Sequence, residues 1–374
     1  MATTTQDPRL RELQFTLSRI FRNPAAIIGF SLMAVFVAIA IAAPLLAPPY
    51  DKNNPYIMPH DGFDPTPKPP SGASFEFTTK RILNIKRDKT QPVPDEIYGK
   101  LKQDFKDRQF TSEKALIDAL HATLGAEETE RYLPLIKTHT MNQGHRFGTT
   151  SGQYDIYYGI IWGTRMAFLI GIVVIGAALL IGVTLGLIAG YFGGWIDELI
   201  MRFVDVIYAI PMLVLAMAIV VAFGRGLTNI MIALALVEWR LYVRLFRAEI
   251  LTSRERDFVL AAKTMGVPDW KIMLRHIFPN AIYPVLIVAS MEVGSMVITA
   301  AFMSFIGLGA PPGYADWGQM VALARNYILG TPDNPFAYWF TVFFPGTAIV
   351  LFVLAWNLIG DALRDAFDPR QRRR

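Results

Sequence analysis

The chain contains no cysteine, so a disulfide framework, an iron–sulfur cluster and a cysteine nucleophile are excluded. Charge is scarce as well. Only 18% of the 374 residues are Asp, Glu, Lys or Arg, and 53% are hydrophobic, whereas soluble domains carry about 25% charged residues. No GxxxxGK[ST] phosphate cradle occurs, so the chain is not itself a nucleotide-driven motor. The five histidines, at positions 60, 121, 139, 145 and 276, show neither HExxH nor a paired helical spacing, and metal binding has no support. No local nucleophile-elbow signature and no convincing internal repeat is present. The net charge of +5 does not indicate a nucleic-acid partner, because the basic residues flank apolar runs.

Those runs lie at 25–46, 166–191, 203–223, 230–243, 283–308 and 339–359. The first follows a polar leader and is long enough to cross roughly 30 Å of hydrocarbon, as an uncleaved anchor would. The third holds Asp205 near its start and Pro211 inside it. The fourth is short and carries Glu238 and Arg240, and the fifth carries Glu292. The expectation is an all-α membrane protein of six spans. Lys and Arg in the short loops concentrate on one side (Arg19, Arg22, Arg202, Arg244, Arg247, Lys263, Arg275, Arg364), against Arg225 and Arg325 on the other. That asymmetry places both termini in the cytoplasm.

The chain therefore divides into a cytoplasmic leader, 1–24, an anchor, 25–47, an extracytoplasmic insert, 48–150, a core, 151–363, with a polar cytoplasmic loop, 251–282, and a basic tail, 364–374. The insert opens on the Pro-rich DPTPKPPSG, after which Phe75 and Phe77 alternate with polar residues as in a short strand. Helical patterns follow at 95–108, 111–124 and 127–137, the second with Leu116, Leu120 and Leu124 on one face and Gly125 at its end. A small ordered cap and a loosely packed charged excursion both fit this pattern.

The segment DFVLAAKTMGVPDWKIMLRHIFP, 257–279, is too polar to span and too periodic for a plain loop. Two short helices are expected, the first closed by Gly266 in a left-handed conformation, the second opened by Pro268 and stopped by Pro279. Ala261 and Ala262 leave a surface without bulk, on which another protein could dock. An amphipathic pair lying on lipid headgroups fits the same residues.

The spacing of Ala261, Ala262, Gly266, Ile277 and Pro279 resembles the EAA loop of bacterial ABC importer permeases. FGTTSGQYDIYYGIIWGTRMAF resembles that family's approach to its second span. SFIGLGAPPGYADWGQM and FFPGTAIVLFVLAWNLIGDALRDAFDPR resemble the oligopeptide and dipeptide permease C subunits. Leu260 stands where the motif usually has Glu, and Ala300 where an acid is expected.

The resemblance implies the type I importer permease fold and a non-catalytic role in importing di- or oligopeptides. It also implies a homologous second permease (B-type), two cytoplasmic ATPases that hold ATP and Mg, an extracytoplasmic solute-binding protein, and a bacterial or archaeal inner membrane. No cofactor is bound by this chain. The coupling residues it implies are Asp257, Ala261, Ala262, Gly266, Asp269, Trp270, Ile277 and Pro279. Nickel chelates, glutathione or another peptide-like solute are alternative cargoes, and an ion-gradient-driven secondary transporter or channel is the alternative of another class.

Glu238 and Glu292 lie at membrane depth, where an acid costs about 2.5 to 3.5 kcal/mol unless solvated or paired. They either line the pathway and attract a peptide's amino end, or are satisfied between packed helices. Asp155 and the acids from Asp361 to Asp368 are weaker candidates, since Asp361, Arg364 and Asp365 fit a helix-end charge cluster.

Overall fold

The computed structural model describes residues 23–60, 65–71, 74–75, 93–105, 113–142 and 144–367. The leader up to residue 22, the tail from 368 and Phe77 lie outside the described residues. The first helix, α1 (Pro24–Leu46), is capped by Asn23, whose side chain accepts from the Ala25 amide at 3.0 Å. Pro44 in its last turn has no N–H to give to the Ala40 carbonyl. Arg165 Nε donates to that carbonyl instead, and the guanidinium lies over the Trp162 ring at 4.9 Å. Trp162 Nε1 then donates to the Ala47 carbonyl at 2.9 Å, closing the end of α1.

Arg165 and Trp162 belong to α5 (Ile156–Phe192), which begins ten residues before the expected span. Asp155 caps it, accepting from the Tyr158 amide at 2.8 Å, and its other oxygen meets His145 Nδ1 at 2.6 Å. Asp155 is thus a helix cap.

Between α1 and α5 the insert forms α2 (Asp95–Asp104), α3 (Glu113–Leu124) and α4 (Ala126–Thr140). A two-residue antiparallel ladder joins β1 (Ser74–Phe75) to β2 (Met141–Asn142). It has a core of its own, with Leu101, Phe105, Leu116 and Leu120 each buried. Leu116, Leu120 and Leu124 face inward as their spacing predicts.

After α5 the chain forms α6 (Gly194–Tyr208), α7 (Met212–Phe223), α8 (Leu227–Arg254) and α9 (Asp257–Thr264). Then come α10 (Asp269–Phe305), α11 (Trp317–Ala324) and α12 (Phe340–Phe367). Among the described residues, α1, α5, α10 and α12 are each long and apolar enough to cross a membrane. The expected third span is broken, because α6 and α7 meet at 86° just before Pro211. Counting that pair as one span gives five. The expected fourth span is part of α8, which continues eleven residues past Val243 as a charged helix. Six spans are therefore not met by length and composition.

The most extensive helix–helix contact in the bundle is between α5 and α8. Gly182, Gly186 and Gly190 recur every fourth residue, so they line one stripe of α5 and let the two backbones close together. A Cβ on Gly182 would sit 2.6 Å from the Trp239 carbonyl oxygen, one on Gly186 2.8 Å from that of Val243, and one on Gly190 2.7 Å from the Ile250 Cβ. Asn23 Nδ2 donates to Asp365 at 3.3 Å, so the two described ends of the chain meet at one end of the bundle.

Candidate functional site

At that same end α8, α9 and the start of α10 build an elbow. The turn between its arms is a Schellman motif. The Val267 amide donates to the Ala262 carbonyl at 3.1 Å and the Gly266 amide to that of Lys263 at 3.0 Å, with Gly266 at φ +74°. A Cβ at Gly266 would meet nothing within 4 Å, so glycine is needed there for its dihedral and not for space.

The second arm differs from expectation in two respects. Pro268 is the residue before the helix and not its first turn, and Pro279 does not stop it. The arm runs from Asp269 through a π-turn, Ile272–Ile277, straight into the span of α10. In that turn the Phe278 amide bonds Met273, five residues back. The widened turn accommodates Pro279, which has no amide to give, so the helix passes through it. The arm and the span are one rod.

Val259, Ala262, Ile272 and Ile277 are buried against the bundle. Ala262 therefore packs inward and its small side chain serves the elbow's own contact, while Ala261, Gly266, Asp269 and Pro279 are exposed. Asp257 starts α9 and is exposed. The outer surface carries Leu260, Met265, Trp270 and Leu274, each at least half exposed, together with Phe258. Of these, Trp270 was singled out from the sequence as a coupling residue and Leu260 only as a departure from the motif. The i, i+7 spacing of Phe258 and Met265 offered no local distinction from core residues.

A row of arginines on α8 secures the neighbouring bend. Arg240 Nη1 donates to the Ile207 carbonyl at 2.8 Å, and Arg240 and Arg244 both lie over the Tyr208 ring, at 4.4 and 4.0 Å. Arg244 also pairs with Asp205. Arg247 grips both oxygens of Asp197, each at 2.5 Å, and Arg254 Nη1 donates to the Gly190 carbonyl at 3.1 Å. The bidentate pair with Asp197 is the geometry in which an arginine holds position as well as charge.

Glu238, one helical turn before Tyr242 on α8, is 5% exposed. It lies within electrostatic reach of Glu292 on α10 and of Arg240. Glu292 itself is half-buried. The two acids come within electrostatic reach of each other from two packed helices, a relation invisible in their separate positions along the chain. Among the described residues no group of three or more metal-ligating side chains forms.

A bundle of long apolar helices bearing one stiff, apolar-faced elbow, with arginine contacts securing the bend beside it, defines a polytopic membrane protein. The chain matches two family models. Residues 182–373 match the binding-protein-dependent transport system inner membrane component, and residues 13–70 the N-terminal transmembrane domain of oligopeptide transport permease C. It belongs to the family of binding-protein-dependent transport system inner membrane components, and is a membrane-spanning transport component.

Among its relatives, the dipeptide transport system permease protein DppC of Alkalihalophilus pseudofirmus is 41% identical over 61% of this chain and 73% of that protein. The glutathione transport system permease protein GsiD of Pectobacterium atrosepticum is 40% identical over 62% and 75%. The probable D,D-dipeptide transport system permease protein DdpC of Escherichia coli is 39% identical over 67% and 80%. A crystal structure of an amino acid ABC transporter with histidines overlaps 55% of this chain and 94% of that one, at 20% identity and a TM-score of 0.40.

Proposed function

We propose that this chain is one permease half of an ATP-driven importer of di- and oligopeptides, and that the 251–282 loop receives the stroke of its ATPases. The observation that carries the reading is the elbow: a capped turn joined to a span as one rod, with exposed Leu260, Met265, Trp270 and Leu274 on its outer side. Exposed apolar side chains clustered on a polar loop are a protein contact more often than a solvent face. A rod that neither slides nor melts is what transmission requires.

The partners of this reading are a homologous second permease subunit, two cytoplasmic ABC ATPases, an extracytoplasmic solute-binding protein and membrane lipid. ATP and Mg belong to the ATPases. Both termini and the elbow face the cytoplasm of a bacterial or archaeal cell, the 48–150 insert faces outside, and six crossings arise if α8 and the α6–α7 pair each count as one. In α8 the charged turns after Val243 would then lie at the cytoplasmic boundary. Glu292, the more exposed of the two acids, is the better candidate for lining the pathway, and Glu238 for a role inside the packing.

Relatives of similar identity are named for dipeptides and for glutathione, and both are small peptides with a free amino end. Peptide is accordingly the cargo class proposed, with glutathione as its particular alternative. The test is copurification of the intact chain with its ATPases, followed by identification of the ligand held by the cognate binding protein. A peptide on that protein is the expected result, and a metal chelate or sugar would overturn the cargo assignment.

A further inference from the structure

We propose that Tyr191 is the positioning residue that fixes the elbow to the bundle, so that a displacement of the elbow reaches α5 as well as α10. The inference rests on the coupling reading of the elbow given above. Along the chain the elbow has two attachments, the Glu255–Arg256 link to α8 and the continuous helix of α10. Two attachments define an axis about which a body still turns; the buried Val259, Ala262, Ile272 and Ile277 oppose that turn by undirected packing, and a directed contact off the axis fixes its angle.

Tyr191, in the last turn of α5, supplies this contact and touches both arms. Its O–H donates to Asp269 Oδ1 at 2.5 Å, at the first residue of α10, and the Lys263 ammonium of α9 lies over its ring at 5.2 Å. The ring is 7% exposed. Its base is firm, because Gly190 brings Ile250 of α8 into close approach and Arg254 bonds the Gly190 carbonyl. A hydrogen bond to an ionised carboxylate is among the stronger ones available to a neutral donor. The cation over the ring holds the second arm without depending on that proton.

The assembled transporter in proteoliposomes tests this, with a mixture of isotope-labelled di- and tripeptides as the probe and peptide taken up per ATP hydrolysed as the readout. Tyr191→Phe keeps the ring under Lys263 and removes only the O–H. The expected result is about a tenfold fall in the ratio, with recovery of the assembled complex unchanged. Asp269→Ala, which removes the acceptor, should cost a similar factor, and the double variant no more than either single one, since both remove the same bond. An unchanged ratio in Tyr191→Phe, or losses that multiply in the double variant, would overturn the inference.

A separate arm keeps the two readings apart. With Trp270→Cys in this cysteine-free chain, a short crosslinker should join the elbow to an ATPase whether or not Tyr191 is Phe. A crosslink alongside an unchanged ratio removes Tyr191 from the account and leaves the coupling role standing. Failure to crosslink with Tyr191 in place removes the coupling role itself.

Discussion

α5 and α8 share the most extensive helix–helix contact in the bundle, yet they are built on opposite terms. Beyond Arg165, α5 carries no charge and presents a glycine stripe, whereas α8 carries Glu238, Arg240, Arg244, Arg247, Glu249 and Arg254. α5 is held by shape: its backbone comes so near α8 that a methyl group would overlap it. α8 is held on its other face by directed charge, arginine by arginine, to α6 and the bend. The difference assigns a task to each. The apolar helix is a platform that fixes distance, and the charged helix fixes the orientation of what hangs from it, the elbow included.

The comparison breaks most severely at the glycine stripe. Gly186→Leu would drive a branched side chain into the Val243 carbonyl, and overpacking of this kind costs about 1–3 kcal/mol or more where the neighbour is backbone. We expect the variant to be recovered poorly or as aggregate by size-exclusion chromatography in detergent. Normal recovery and melting would show that α5 and α8 are not held by close approach.

The opposite end of α5 supplies a second, pH-dependent test. There Gly163 packs under the Trp317 indole, and Asp316, in the loop between α10 and α11 and outside the spans, caps α11 through the Gly318 amide at 3.2 Å. Burial pushes the Asp316 carboxyl from 3.8 up to about 6, against the pull of the hydrogen bonds it accepts. A carboxyl raised in the folded state adds no penalty at low pH, where both states are protonated. As the pH climbs through the window between 3.8 and about 6 the unfolded chain ionises first, and stability falls by roughly 3 kcal/mol. Asp316→Asn, which keeps the cap, should therefore melt higher than the parent at about pH 8 and alike at about pH 4. A gap in melting temperature that does not change with pH would contradict the assignment.

The charged side of the comparison predicts a smaller effect. Arg247→Ala leaves Asp197 without its bidentate partner. Because the pair is partly exposed, at 29% and 16%, the loss should be about 1–2 kcal/mol rather than that of a fully buried pair. Lys at the same position should recover less than half of it, since a point charge cannot span both oxygens. Full recovery by Lys, read by thermal melting, would make charge rather than geometry the cause.

The sequence announced what is local and concealed what is shared. α1 is readable to within a residue because one apolar run makes it, and the Gly266 turn is readable because few residues adopt that dihedral. The start of α5 was missed because Arg165 looks like a loop residue until Pro44, more than a hundred positions earlier, is seen to free the carbonyl it bonds. The course of α10 through Pro279 was missed because a π-turn has no sequence signature. The elbow was legible as a motif resemblance, with Leu260 as its departure, but Tyr191 and the outward side chains Phe258, Met265 and Leu274 were not. Tyr191 meets its partners on other helices, far along the chain. The stripe Gly182, Gly186, Gly190 was in plain view, and its four-residue spacing is the signal that would have paired α5 with a close neighbour.

The central claim, that the elbow is a cytoplasmic contact for the motor, is tested most directly by the chemistry of one introduced thiol. In the cysteine-free chain, Trp270→Cys in sealed cells should resist a membrane-impermeant maleimide applied from outside. In inverted vesicles it should react until the ATPases are added back, and then become protected. Labelling from the outside, or labelling from the inside that the ATPases never reduce, would contradict the account.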